Sequence, residues 1–284
     1  MNLTNKTIVK DLLKRREIKP EKYLGQHFIL SKKALARMVS AAEIEKNDTI
    51  IEIGPGLGTL TQELAKIPHP FSKGGGPKII AIEKDPKMIL ILKETLAGYK
   101  NIKIVQADAR GDKLGIKIAK NKYKIVANLP YNVATFLIRQ WLELKNSPKL
   151  MVLMIQKEVA QRMTAKPPHM NLLAVSTQFL AIAKVVDYVP AKAFWPKPKV
   201  DSAIIKIVPK KRPPQKTRRA FFAVVKAGFS QPRKQLIGNL TKKLKTPREK
   251  LMEIFKNLNI SERARAENLS LEQWILLAKE IENN

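Results

Sequence analysis

Short apolar runs alternate with amphipathic segments through the first half of the chain, and this alternation limits the possible folds more than any other feature. The predicted strands cover residues 49–53, 78–82, 103–106, 124–127 and 150–155. The predicted helices cover residues 31–42, 59–66, 86–96 and 134–144. Strands that alternate with helices of about ten residues predict a parallel sheet covered on both faces.

The pattern changes in the second half of the chain. Residues 181–189 and 202–208 are β-rich, and we expect them to pair antiparallel at the edge of the sheet, with a loop at 194–199 between them. Residues 210–215, Lys-Lys-Arg-Pro-Pro-Gln, have the composition of a linker. After it only helices are predicted, at residues 218–226, 233–244, 247–258 and 271–281. The sequence therefore predicts an α/β domain over 1–209, which begins with a partly ordered basic arm at 1–22, and a small all-helical domain over 210–284.

The charge of the chain favours a polyanionic partner. Lys and Arg total 54 against 24 Asp and Glu, which gives a net charge of +30. Such an excess suits nucleic acid, because cations that neutralise phosphates release counterions, although a generally lysine-rich or thermophile surface would look the same. The absence of cysteine excludes disulfides, zinc–thiolate sites and thiol nucleophiles. With no long apolar run and no secretory signal, we expect a cytoplasmic protein without membrane contact. We also expect a monomer that binds no metal.

A glycine-rich turn follows the first predicted strand. Residues 52–58 are Glu-Ile-Gly-Pro-Gly-Leu-Gly, and Gly54 and Gly56 would let the backbone approach a ligand. The turn is not a dinucleotide fingerprint, since Thr61 stands where a third glycine would follow, and it lacks the Lys-Ser/Thr pair of a P-loop. Glu83 ends the next strand and could accept both hydroxyls of a ribose. Asp108 follows the third strand and could bind an adenine amino group, or simply cap the next segment.

The tetrapeptide Asn128-Leu129-Pro130-Tyr131 follows the fourth predicted strand. The exocyclic amine of adenine is a poor nucleophile, because its lone pair is delocalised into the ring. The side-chain oxygen of Asn128 and the carbonyl of Leu129 could hold its two hydrogens, while Pro130 fixes the turn. The Tyr131 ring could stack on a base that has left its helix. The alternative is an ordinary turn after a strand.

The order of these parts resembles the Rossmann-like S-adenosylmethionine-dependent methyltransferases, and the motifs resemble the ribosomal RNA adenine dimethyltransferase family of the KsgA type. The resemblance rests on the motifs above, with further similar segments at residues 24–30, 156–162 and 193–202. It implies that His27 and Ile29 contact the cofactor, as do Gly54, Gly56, Glu83, Asp108 and Asn128. It also implies that Phe194 closes over the second face of the target adenine. The loop at 67–77 is longer than the family leads us to expect.

The C-terminal segments at residues 229–235 and 265–270 resemble the helical, RNA-contacting domain of the same family. The resemblance implies phosphate contacts from Arg218, Arg219, Arg233 and Lys234, although some of these can be solvated helix faces. The implied reaction is dimethylation of N6 in two adjacent adenosines near the 3′ end of small-subunit rRNA, in an immature small ribosomal subunit. Three alternatives stay open: an erythromycin-resistance enzyme that modifies large-subunit rRNA, a non-catalytic assembly or transcription factor, and a DNA adenine methyltransferase.

Overall fold

The computed structural model describes residues 1–20, 26–45, 48–67, 77–111 and 123–283. The chain divides into two compact units, Met1–Ala160 with Lys184–Pro209, and Gln161–Ala183 with Lys210–Asn284. The chain passes to the second unit for the last time between Pro209 and Lys210, which is where the sequence places its domain boundary. The structure corrects the assignment of the segment Gln161–Ala183, which the sequence places in the first domain. It groups with the helical unit because its Phe179 ring stacks on Phe221, with 3.7 Å between the ring centroids.

The strands form a mixed sheet that matches the predicted alternation. Their bounds are β1 (Phe28–Ile29), β2 (Thr49–Ile53), β3 (Lys78–Glu83), β4 (Ile102–Gln106), β5 (Tyr123–Asn128), β6 (Leu150–Gln156), β7 (Ala181–Val189), β8 (Phe194–Trp195) and β9 (Ser202–Pro209). Within the described residues the main sheet has the order β4-β3-β2-β5-β6-β9-β7. The five strands from β4 to β6 in that order run parallel, and β9 is antiparallel to β6. The predicted edge pair is present as neighbours, since β9 lies beside β7.

Helices follow or precede most of these strands. Their bounds are α1 (Lys6–Arg15), α2 (Lys32–Ala41), α3 (Thr59–Ala65), α4 (Pro86–Thr95), α5 (Ala134–Glu143), α6 (Lys157–Met163), α7 (Leu172–Leu180), α8 (Gln215–Gly228), α9 (Leu236–Leu244), α10 (Arg248–Asn257) and α11 (Leu271–Asn283). Ser31 caps α2, where its side chain accepts from the backbone N–H of Ala34 at 3.2 Å. The core lies where the apolar strands β2, β3, β5 and β6 are covered by helices on their faces, as in other parallel sheets.

The largest difference from the predicted elements is in the basic arm at 1–22, which contains a helix. Residues 6–15 form a helix, capped by Asn5, whose side chain accepts from the backbone N–H of Thr7 at 2.9 Å. Its apolar side chains Val9, Leu12 and Leu13 are at most 1% exposed. The spacing of these three residues is that of one buried helix face, which the surrounding lysines and arginines obscured. The segment 21–25 and the loop at 68–76 lie outside the described residues, and with them part of the motif at 24–30.

Candidate functional site

A cavity of about 560 Å³ lies in the first unit, at the carboxyl ends of β2, β3 and β5. This is where open α/β sheets bind their ligands. The strands bring together there all seven residues that the sequence predicts to contact a cofactor, and the cavity wall contains His27, Ile29, Gly54, Gly56, Glu83, Asp108 and Asn128. Pro130 also lines it.

The glycine-rich turn forms one wall of the cavity. Gly54 and Gly56 have φ angles of +62° and +58°, which side-chain-bearing residues rarely adopt. A Cβ atom on Gly56 would approach Cε1 of Phe28 to 3.3 Å. The turn is held to β3, because the backbone N–H of Gly54 donates to the carbonyl of Ile82 at 2.9 Å. Residues 54–58 include no basic side chain, and the lysine and arginine residues of the wall are Lys84, Lys87 and Arg110.

Glu83 ends β3 at the cavity and is held there by the backbone. Its Oε1 accepts from the N–H groups of Lys84 at 2.7 Å and Asp85 at 2.9 Å. Burial raises the pKa of the carboxyl, and these N–H groups oppose that rise. A fixed carboxylate at this strand end can accept hydrogen bonds from neighbouring hydroxyls of a sugar.

Glu52 is a site residue to which the sequence analysis assigned no role. It lines the cavity from β2 and is 2% exposed, and its Oε2 has no hydrogen-bond partner among the described residues. Burial, together with the negative charge of Glu83, raises its pKa to about 8. Its position directly before the glycine-rich turn could have identified it as a site residue from the sequence. An unpartnered buried carboxyl group in the wall fits a ligand that carries hydrogen-bond donors or positive charge.

Asp108 lines the cavity and also makes local ion pairs. The guanidinium of Arg110 approaches its carboxylate to 2.6 Å, and the Lys84 ammonium to 3.3 Å. These partners, Arg110 foremost, hold its pKa well below the usual range. The backbone N–H of Arg110 also donates to Asp108 Oδ1 at 3.0 Å, which is the local capping contact that the sequence left open as the alternative role.

The predicted catalytic tetrapeptide begins at the last residue of β5. Asn128 donates from Nδ2 to the backbone carbonyl of His27 at 3.2 Å, and no described residue donates to its Oδ1. The ring of His27 is held in turn, with Nδ1 2.7 Å from the carbonyl oxygen of Pro196. The backbone N–H of Leu129 donates to the carbonyl of Met154 at 3.1 Å, which fixes the peptide to β6. The amide oxygen therefore remains as an acceptor at the cavity wall.

Tyr131 lies beside the cavity, outside its immediate lining. Its hydroxyl is 2.7 Å from Oγ of Ser202, and its ring stacks against His27 with 5.9 Å between centroids. Burial raises the pKa of the phenol. These two contacts orient the ring.

The structure corrects the prediction that Phe194 closes over the target adenine. It pairs with Ile29 across the β1–β8 ladder, is 3% exposed, and belongs to the main hydrophobic cluster with Leu35 and Met154. The side chain is covered by protein and is not part of the cavity wall. In this structure Phe194 is therefore a core residue and offers no open face to a base.

The predicted RNA-binding residues lie in the second unit. Arg219, Arg233 and Lys234 are exposed, the first on α8 and the others in the turn before α9. Arg218 is half-buried, and its Nε is buried without a described partner. Arg218 is thus partly a packing residue.

The described part of the chain contains no group of three or more His, Asp or Glu side chains that could hold a metal ion. None of its helices is both long and apolar enough to cross a bilayer.

Comparison with known proteins gives one consistent family. Residues 18–283 match the family model described as ribosomal RNA adenine dimethylase. A protein of Dehalococcoides mccartyi strain 195 named ribosomal RNA small subunit methyltransferase A is 38% identical over 94% of this chain and 90% of its own length. A protein of Alkaliphilus metalliredigens with the same name is 36% identical over 96% and 95%.

Solved structures of related proteins share the fold. The 23S rRNA methyltransferase ErmE superposes with a TM-score of 0.73 and 25% identity, over 90% of this chain and 99% of that one. A dimethyladenosine transferase from Plasmodium falciparum superposes with a TM-score of 0.72 and 25% identity, over 90% and 98%.

Proposed function

The chain belongs to the ribosomal RNA adenine dimethylase family, and from this membership we propose that it methylates N6 of two adjacent adenosines near the 3′ end of small-subunit rRNA. It is an S-adenosylmethionine-dependent enzyme that dimethylates adenine in rRNA. The observation that carries the proposal is Asn128, with its Oδ1 open at the wall of the cavity that also contains Glu83.

The residues of the cavity fit S-adenosylmethionine. The unpartnered Oε2 of Glu52 and the positive-φ glycines suit a closely bound ligand that carries hydrogen-bond donors, such as a ribose. Glu83 would hold the ribose hydroxyls, Asp108 the adenine amine, and His27 and Ile29 would close the site. The bound cofactor supplies an activated methyl group on a sulfonium, so no strong base is needed before transfer.

The chain's own contribution is to hold the adenine amine. The Oδ1 of Asn128 and the carbonyl of Leu129 would each accept one amine hydrogen, which favours a more tetrahedral nitrogen and directs its lone pair. Pro130 holds the turn, because its carbonyl accepts from the backbone N–H of Val133 at 3.2 Å. The oriented ring of Tyr131 would stack on the base, a contact that contributes roughly 1–3 kcal/mol. Because the base must leave its stack, a single-stranded or loop substrate suits the site.

The small-subunit substrate is favoured over the large-subunit alternative by the relatives. The curated proteins at 36–38% identity are named for the small subunit. The motif residues in the cavity also disfavour a non-catalytic factor. Arg219, Arg233 and Lys234 support RNA contacts by the helical unit. We place the enzyme in the cytoplasm, acting as a monomer on an immature small subunit.

The test is transfer of labelled methyl groups from S-adenosylmethionine to three substrates: immature small subunits, naked small-subunit rRNA and large subunits. Mass spectrometry of the RNA would locate the products. We expect dimethyladenosine in the small-subunit RNA alone, with the particle preferred over naked RNA. Label in the large-subunit RNA would support the rival instead, and label in neither would reject the proposal.

A further inference from the structure

We infer that α1 presents a row of lysines that binds the phosphate backbone of the substrate RNA beside the base being methylated. The α1 lysine row consists of Lys6, Lys10 and Lys14. This inference rests on the proposed function, because it takes RNA as the substrate of the cavity. The match to the family model begins at residue 18, after α1.

The helix that carries the row is a fixed part of the first unit. Its buried residues Leu12 and Leu13 belong to one hydrophobic cluster with Phe28, Leu57 and Met88. The last three also line the cavity. The apolar face of α1 thus supports the cavity wall from behind, and its polar face keeps a defined position relative to the site.

The exposed side of α1 is predominantly basic, with Asp11 as its one acidic residue. Residues four apart lie on one side of a helix, so Lys6, Lys10 and Lys14 form a row about 12 Å long. All three are exposed, and no ion pair joins any of them to an acidic side chain in the described part of the chain. The arginines that follow differ, because Arg16 and Arg15 approach Glu94 to 2.5 Å and 3.8 Å. Among the described residues, the three lysines of the row thus make no ion pair, and the one acidic residue of α1 is the exposed Asp11.

The middle of the row lies beside Trp195, which is linked through β1 to the catalytic peptide. The Nζ of Lys10 is 6.0 Å from the centroid of the Trp195 ring. Trp195 pairs with Phe28 in the β1–β8 ladder, and the neighbouring His27 accepts the hydrogen bond from Asn128. A strand of RNA that delivers a base to Asn128 would carry its flanking phosphates past this surface. A row of 12 Å exceeds the roughly 3.4 Å rise per phosphate along one strand, so it can meet several phosphates.

RNA fits this face better than a lipid surface does. An interfacial helix must insert its apolar side into the bilayer, and that side of α1 is buried in the protein. An acidic face of a ribosomal protein is the remaining alternative, and the experiment separates it from RNA.

The experiment compares the triple variant K6E/K10E/K14E with a control, K33E/K103E/K184E, which makes the same change in net charge at exposed lysines elsewhere in the first unit. Methyl transfer to immature small subunits and to protein-free small-subunit rRNA gives kcat and KM. Binding to the same RNA is measured against salt concentration, and cofactor affinity is measured by calorimetry. If the charge reversals impair folding, glutamine replaces glutamate in both triples.

We expect the row variant to raise KM about tenfold or more on both substrates, with unchanged kcat and cofactor affinity. We also expect a shallower dependence of log K on log salt, by about 0.7–0.9 for each lost phosphate contact. The control should change KM by no more than about twofold. Equal effects of the two triples would overturn the inference, as would a loss confined to the particle, which would indicate a ribosomal protein. A wild-type enzyme that labels no rRNA would instead reject the proposed function.

Discussion

Asn128 and His27 are joined by a hydrogen bond of 3.2 Å from the side-chain Nδ2 to the main-chain carbonyl. This bond decides which atom of the amide is free. With Nδ2 occupied, Oδ1 is the atom left at the cavity wall, and it is the acceptor that an adenine amine requires. The segment around residue 27 thus orients the catalytic amide as well as lining the cavity.

Replacement of Asn128 by alanine should abolish turnover without loss of RNA binding. The variant lacks the acceptor that fixes the amine, and removal of one such preorganised group typically costs about 100-fold or more in kcat. Single-turnover methyl transfer and filter binding of rRNA would be measured on the same preparation. Thr135→Ala, an exposed change on α5, is the control and should keep wild-type activity. Loss of RNA binding in step with turnover would contradict the assigned role.

Glu83→Ala should weaken the cofactor and leave RNA affinity unchanged. The variant lacks the buried carboxylate that would accept hydrogen bonds from the ribose, each worth about 1.5–3 kcal/mol for a charged acceptor. Calorimetry should therefore show the Kd for S-adenosylmethionine rise about 100-fold or more. Glu63→Gln changes an acid on α3 that pairs with Lys66, away from the cavity wall, and should leave this Kd near its wild-type value. An unchanged Kd for Glu83→Ala would remove it from the cofactor site.

Glu52 should make the stability of the cofactor-free protein fall as pH rises. Its pKa is about 8 in the fold against an ordinary value of 4.5, so between these values the folded state holds a proton that the unfolded state has released. The contribution is complete below pH 4.5 and is lost as pH rises towards 8, at no more than about 1.4 kcal/mol per pH unit. Urea unfolding from pH 5 to 8 should show this slope in the wild type and a flatter one in Glu52→Gln. Parallel profiles for the two proteins would contradict the prediction.

The sequence predicted the elements whose pattern is local. The apolar run of β2 gave its bounds, and Ser31 gave the start of α2, because buried parallel strands and helix caps leave their signals within a few residues. The short strands β1 and β8 could not be found, since Phe28 pairs with Trp195 far along the chain and neither strand exceeds two residues.

The cofactor site was predicted more completely than the environment of its residues. Strand ends in a parallel sheet meet at one edge, which explains why Gly54, Gly56, Glu83, Asp108 and Asn128 line one cavity. His27 and Ile29 reach the same cavity at β1, which belongs to a separate two-stranded sheet. The pairing of Asp108 with Arg110, the unpartnered Oε2 of Glu52 and the burial of Phe194 depend on side-chain packing. A sequence motif predicts which residue type occupies a position, but it does not predict how exposed that side chain is.

The buried ion pair between Lys124 and Asp48 should matter for folding. The two charged groups are 2.7 Å apart and their side chains are 3% and 6% exposed. Lys124→Met would leave Asp48 buried without its cation and should lower the free energy of unfolding by about 3–5 kcal/mol. The double variant Lys124→Met/Asp48→Asn removes both charges and should recover part of that loss. Urea unfolding of the three proteins checks this, and a single variant as stable as the wild type would argue against it.

Phe194 allows packing and base stacking to be separated. Because its ring is 3% exposed in the main cluster, Phe194→Ala should lower the free energy of unfolding by about 3–5 kcal/mol. Phe194→Leu keeps an apolar side chain and should cost less than about 1.5 kcal/mol. If the ring only packs, the leucine variant should methylate rRNA within about threefold of the wild-type kcat/KM. Base stacking is worth roughly 1–3 kcal/mol, so a loss of about 5- to 150-fold in the well-folded leucine variant would show that the ring leaves the core to cover the adenine.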